Sequence, residues 1–201
     1  NPHDGTAAGS GGQYSTGVHN EGRALLLNGS NWVTCGPVED FDFTSGQGTI
    51  EAWVKIDLST FPAYWNYSTL FAVRTNAPYV VVYNFHHYAE YNILAPSLVS
   101  GYREEGGFDV AQGWTHLAIV FNAGHVLVYT GGNLLADLPD LPLPTTPSGL
   151  PFQIGSTGAE GANLWQGQMD EVAMYSTALD AATIQAHAGS FAPQPTLSPT
   201  N

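Results

Sequence analysis

Short strand-like runs, each closed by a turn rich in Gly or Asn, follow one another along most of this chain. No other feature limits its fold as tightly. The runs are Arg23–Leu27, Trp32–Cys35, Thr49–Ile56, Thr69–Arg74, Tyr79–Phe85, Tyr88–Leu94, Thr115–Phe121, His125–Thr130, Phe152–Ile154 and Gly167–Tyr175. Between them lie Asn28-Gly29-Ser30, Ser45-Gly46-Gln47-Gly48, Asn122-Ala123-Gly124 and Gly131-Gly132-Asn133, clusters whose residues accept the backbone angles of tight turns. About ten strands at this spacing, with no interleaved helices, predict an all-β chain folded as a two-sheet antiparallel sandwich.

Alternation sets the faces of individual strands. In Thr49–Ile56, the residues Ile50, Ala52, Val54 and Ile56 share the core face, and Thr49, Glu51, Trp53 and Lys55 share a polar face with one Trp on it. In Thr115–Phe121 both faces are apolar enough to predict a central strand. One short C-terminal helix is expected at Ala181–Ala188, with Asp180 as N-cap, Gly189 as C-cap, and Leu179, Ile184 and Ala188 as its apolar stripe. The segment Asn1–Gly22 reads as a loop with at most one strand. Residues 191–201 carry Pro193, Pro195 and Pro199 among Thr and Ser and read as an extended tail beyond a domain of residues 1–190.

Charge excludes whole classes of partner. Four Lys and Arg against 17 Asp and Glu give a net charge of −13 over 201 residues, so neither a phosphate backbone nor an anionic membrane surface is an expected ligand. No stretch is long and apolar enough for a membrane-spanning helix, and no basic-then-apolar leader opens the chain, which reads as mature, excised or cytosolic. Scarce Lys with abundant Asn, Thr, Ser and Gly favours a secreted or surface-exposed setting, on a cell or a virion. The single cysteine, Cys35, has no intrachain disulfide partner and reads as a small buried apolar group.

Three stretches carry a family resemblance. The first runs Ala24-Leu25-Leu26-Leu27-Asn28-Gly29-Ser30-Asn31-Trp32-Val33, then Phe43-Thr44-Ser45-Gly46 and Gly48-Thr49-Ile50-Glu51-Ala52-Trp53-Val54-Lys55. The second is Gly113-Trp114-Thr115-His116-Leu117-Ala118-Ile119-Val120-Phe121 with the hairpin His125–Ala136. The third is Gly167-Gln168-Met169-Asp170-Glu171-Val172-Ala173-Met174-Tyr175, continued by Ala178–Ile184. In this order they resemble the laminin-G-like branch of the concanavalin A-like lectin/glucanase superfamily, which implies a jelly-roll sandwich. The resemblance also implies a first strand ahead of a loop ending like His3-Asp4-Gly5-Thr6-Ala7, so the chain is expected to begin inside that loop. The sheet edge left open, beside Gly167–Tyr175, would then be completed by a strand from elsewhere.

Function is less sharply drawn. A glycosidase of this fold needs two carboxylates on one strand face. The acidic groups here, Glu39/Asp40/Asp42, Glu104/Glu105, Asp137/Asp140 and Asp170/Glu171, fall mostly in loops, and a non-catalytic protein is expected. Carbohydrate binding calls for aromatic faces beside amides and carboxylates, and Tyr64, Trp65, Tyr67, His86, Tyr88 and Glu90 form the candidate ligand site. The same surface would suit a protein partner. The resemblance implies a structural Ca²⁺ with Asp170 and Asp4 as candidate ligands, against the alternative that Asp170 accepts backbone N–H groups. Asn28 and Asn66 head sequons that matter only in a eukaryotic secretory pathway. Two readings result: an adhesive, lectin-like recognition module for a glycan or cell-surface polysaccharide, or a structural subunit of an extracellular filament or virion decoration, self-assembled through an open edge.

Overall fold

The computed structural model describes residues 5–37, 46–56, 67–73, 82–88, 93–98, 108–109, 113–139, 151–156 and 164–190. Its strands are β1 (Thr6–Gly9), β2 (Tyr14–Thr16), β3 (Arg23–Asn28), β4 (Asn31–Pro37), β5 (Gln47–Ile56), β6 (Tyr67–Val73) and β7 (Val82–Tyr88). Then follow β8 (Ile93–Leu98), β9 (Phe108–Asp109), β10 (Thr115–Asn122), β11 (His125–Thr130), β12 (Asn133–Leu138), β13 (Pro151–Ile154) and β14 (Gln166–Tyr175). A 3₁₀ turn at Val18–Asn20 and helix α1 (Ala181–Ser190) complete the described elements. One sheet runs β1-β4-β13-β6-β7-β8-β9 and the other β12-β11-β10-β5-β14-β3-β2, all neighbours antiparallel. This is the jelly-roll sandwich that the strand rhythm and the resemblance implied.

The core lies between the sheets. Ile50, Ala52 and Val54 of β5 meet Leu117, Ile119 and Phe121 of β10, Met169 of β14 and Leu27 of β3, and the facing sheet supplies Leu70, Phe71, Phe152 and Ile154. Each fully buried aliphatic side chain contributes about 1.5–3 kcal/mol through removal from water. Cys35 packs at the edge of this core as a free thiol, and burial raises its pKa. The Asn28-Gly29-Ser30 turn closes as the residues dictate: Gly29 is left-handed, with φ 77°, and Asn28 Oδ1 accepts from the Ser30 amide at 3.0 Å and from its hydroxyl at 2.7 Å.

Several expectations need correction. Asn1–Gly22 holds two strands, not one: β1 pairs with β4 from Thr6↔Thr34 onward, and β2 pairs with β3. Of the expected loop His3–Ala7, Thr6 and Ala7 are therefore strand. The run Tyr88–Leu94 is divided, since Tyr88 ends β7 and Ile93 opens β8. Asp180 does cap α1, its Oδ1 accepting from the Thr183 amide at 2.7 Å. Gly189, however, lies inside the last helical turn and has no left-handed backbone. Leu179 and Ile184 face the sheet, but Ala188 sits over the Gly131-Gly132 turn, where a Cβ on Gly132 would meet its own at 3.1 Å.

The edge beside Gly167–Tyr175 is not open over Gly167–Met169. There β14 pairs with β5 on one side and with β3 on the other, and β2 continues the sheet beyond β3. Over those residues strand donation loses its structural motive, because their hydrogen-bonding groups are already taken within the chain.

Candidate binding site

Of the aromatic ligand-site candidates, Tyr64, Trp65 and Glu90, with the sequon Asn66, lie outside the described residues. Tyr67, His86 and Tyr88 fall on adjacent strands. Tyr67 opens β6 directly opposite His86 of β7, and Tyr88 follows two positions later.

The outer face of the second sheet carries a polar network. β5 and β10 pair with His116 opposite Trp53 and Ala118 opposite Glu51, so Glu51 and His116 are diagonal neighbours. The Glu51 carboxylate, 6 % exposed, accepts from the Tyr175 hydroxyl at 2.8 Å and contacts His187 Nδ1 of α1 at 2.9 Å. His116 Nε2 lies 3.5 Å from its other oxygen. Burial pushes the Glu51 pKa up, but the hydrogen bonds of His116, His187 and Tyr175 and the charge of His187 outweigh it and bring it to about 2. Burial and the Glu51 carboxylate raise the Tyr175 hydroxyl to about 12. Trp53 stands edge-on to both His116 and His19, at 5.4 Å between centroids in each case. Thr49 anchors the loop before the helix, its hydroxyl donating to Thr177 O at 2.9 Å and accepting from Leu179 N at 3.0 Å.

Glu51, expected on an open polar face, is thus buried beneath α1. Ala118, Val120, Tyr129 and Ile184 form a second apolar cluster beside it. His116 is bound within its own sheet, to Glu51 of β5. Chemically the arrangement is a clamp: the carboxylate is engaged on three sides by the protein's own groups, which suits holding a helix better than meeting a ligand.

A groove of 440 Å³ opens at the far end of the same sheet, lined by Leu26, Leu27 and Asn28 of β3, Lys55 and Ile56 of β5, and Gln166, Gly167 and Gln168 of β14. Its floor is a cross-strand row, because Gln168 pairs with Leu26 on one side and Lys55 on the other. Gly167, with φ 147°, is required there: a Cβ would collide with the Lys55 carbonyl oxygen.

Asp170, the candidate calcium ligand, uses both oxygens on backbone amides. Oδ2 accepts from Val18 N at 2.9 Å and Oδ1 from Glu171 N at 3.0 Å. Glu171 is left-handed, with φ 48°, and the ladder with β5 shifts register between Asp170 and Ala173, so this is a bulge rather than regular strand. Asp4 lies outside the described residues. Among the described residues no three His, Cys, Asp or Glu side chains come together as a metal site. The donor set around Asp170 therefore does not by itself fit the six or more oxygens that calcium takes.

The sequence singled out none of Glu51, His187, Tyr175, Lys55, Gln166 and Gln168 as a grouped set. The signal available was Glu51 set on a strand whose flanking positions are apolar, but its partners lie 65 to 136 positions away. Only the β5–β10–β14 register and the placement of α1 bring them together.

Two packed antiparallel sheets, with a helix clamped to one outer face and a polar groove beside it, define a jelly-roll domain of lectin-like architecture. The chain belongs to the concanavalin A-like lectin/glucanases superfamily, whose laminin-G-type profile matches residues 27–185. No curated protein matches it by sequence. Domain 4 of the extracellular arabinanase AbnA from Geobacillus stearothermophilus, solved with arabinotriose, is similar in fold: TM-score 0.66, 20 % identity, over 92 % of this chain and 87 % of that one. The heptameric SAP-like pentraxin of Limulus polyphemus gives TM-score 0.59 and 18 % identity over 75 % of this chain and 73 % of that one. The binding domain of botulinum neurotoxin DC, solved with SialylT, gives TM-score 0.64 and 12 % identity over 95 % of this chain but only 48 % of that one. At these identities the likeness is one of fold.

Proposed function

We propose that this chain is a non-catalytic, surface-exposed recognition module that binds carbohydrate at β6 and β7. The observation that carries the reading is the strand register, which sets Tyr67 of β6 directly opposite His86 of β7, with Tyr88 two positions further along the same strand. Aromatic rings so placed stack on the C–H faces of pyranoses while neighbouring polar groups hold the hydroxyls. Tyr64, Trp65 and Glu90 adjoin these strands in sequence and belong to the same proposed ligand site. Fold neighbours solved with arabinotriose or SialylT support the ligand class. The engagement of Glu51 and Asp170 by the protein's own groups supports a binding role over catalysis.

The test is a glycan screen read by intrinsic Trp fluorescence, run with calcium and with chelator, since the superfamily resemblance includes a structural Ca²⁺. At least one glycan is expected to give a saturable change that Trp65→Ala abolishes without altering the melting temperature. A screen with no responding glycan, or a response that survives Trp65→Ala and His86→Ala together, would overturn the reading.

A further inference from the structure

The groove on the second sheet is independent of the β6–β7 surface, and its chemistry is more specific. We infer that it binds a carboxylate-bearing sugar, a hexuronate unit of an acidic glycan, with Lys55 meeting the carboxylate and Gln166, Gln168 and Asn28 meeting the hydroxyls.

Its lining contains the chain's only lysine among four basic residues. That ammonium stands on the same sheet face as Gln168, its direct partner across the ladder. Gln166 lies two positions along β14, hence on the same face, and pairs with Asn28 of β3. Gln168 is therefore beside the cation, and Gln166 and Asn28 lie further along the same groove. Each Gln amide offers both a donor and an acceptor, the pairing that a sugar hydroxyl needs, while Asn28, whose Oδ1 is taken by Ser30, offers its NH₂ as donor, and one ammonium balances a single negative charge through a charge-assisted hydrogen bond. Leu26, the partner of Gln168 across the ladder, supplies an apolar edge for the C–H face of a ring. The volume of 440 Å³ falls within the roughly 300–1,000 Å³ of small-ligand clefts. The carboxylate of Asp170, two residues beyond Gln168, is held by the Val18 and Glu171 amides and does not pair with Lys55. In a chain of net charge −13, a cation placed beside an amide in a groove gives an acidic ligand a local point of attachment.

The experiment is an NMR titration of the full chain with trigalacturonate, following the side-chain amide signals of Gln166, Gln168 and Asn28, with neutral galactotriose and a sulfated galactose trisaccharide as comparisons. Saturable shifts are expected with trigalacturonate alone. Lys55→Gln, at an exposed position that leaves the fold intact, should weaken binding about tenfold, the worth of one charge-assisted hydrogen bond. Gln168→Ala should weaken it too, and raising the salt should weaken it further in wild type but not in Lys55→Gln. No shift at millimolar trigalacturonate, or an equal response to either comparison sugar, would overturn the assignment. So would a response lost in Trp65→Ala but kept in Lys55→Gln, which would place all binding at the β6–β7 surface. Conversely, a groove that binds while Trp65→Ala changes nothing separates this inference from the proposal for the other sheet.

Discussion

The two faces of β5 are stabilised by opposite means. Inward, Ile50, Ala52 and Val54 sit in a continuous apolar core shared with the facing sheet. Outward, Thr49, Glu51 and Trp53 are nearly as buried, at 0 %, 6 % and 8 % exposure. There the burial is tolerated because each polar atom has a partner: Thr49 holds the loop before α1, and Glu51 holds Tyr175 and His187. The difference teaches that alternation in a sequence reports polarity and leaves exposure open. A polar face can be closed over by another element if that element brings hydrogen-bond donors to it. Lys55, one step further along the same face, is where the cover ends and the groove begins.

Variants on either face would break this comparison in different ways. The largest effect is expected inward: Ile50→Ala removes side-chain volume from a closed core and should lower stability by about 4 kcal/mol. In urea denaturation that loss should be the same at every pH in which the native fold persists. A pH-dependent loss would mean that the inner face is coupled to the charged network outside it.

Outward, Glu51→Ala strands three hydrogen-bonding groups and should cost about 3 kcal/mol near neutral pH. Here the pH dependence is the sharper reading. The folded-state pKa of about 2 lies below the ordinary 4.5, so the carboxylate's contribution is present above pH 4.5 and is lost as pH falls from 4.5 toward 2. The stability difference between wild type and Glu51→Gln should therefore narrow over that window. A constant gap would show that Glu51 is not held ionised by its partners.

The smallest of the three concerns the alkaline side. Tyr175→Phe deletes one hydrogen bond to a charged acceptor, expected to be worth about 1.5 kcal/mol. The folded hydroxyl titrates at about 12 instead of 10, so its contribution is complete below pH 10 and fades as pH rises from 10 to 12. Wild type and variant should converge over that range in thermal melts. If they stay parallel, the hydroxyl is not bound to Glu51 in solution.

The strands were legible because their signals are local. Ile50, Ala52 and Val54 face the core as alternation required, as do Leu117, Ile119 and Phe121, and Asp180 caps α1 from a position that names itself. β1 and β2 were not legible: Thr6–Gly9 and Tyr14–Thr16 are short and rich in small residues, and only pairing with β4 and β3 makes them strands. The bulge at Asp170 escaped for the same reason, since its left-handed Glu171 has no turn residue to announce it. The candidate site was legible in part. The aromatic positions Tyr67, His86 and Tyr88 were visible as composition, and the register added that Tyr67 and His86 are direct cross-strand partners. The groove was invisible, because Leu26, Lys55 and Gln168 meet only where β3, β14 and β5 lie side by side.

By itself the sequence determined what neighbouring residues can enforce: short strands, tight turns, a capped helix, a two-sheet core, and a net charge of −13 that turns away phosphate backbones and anionic membranes. Those properties follow from side-chain period and backbone angles within a few positions. The tertiary structure decided which edges are paired, which polar groups are buried with partners, and which amide lies beside the single lysine. These depend on contacts between segments tens of residues apart, and their energies are collected only once the sheets have formed.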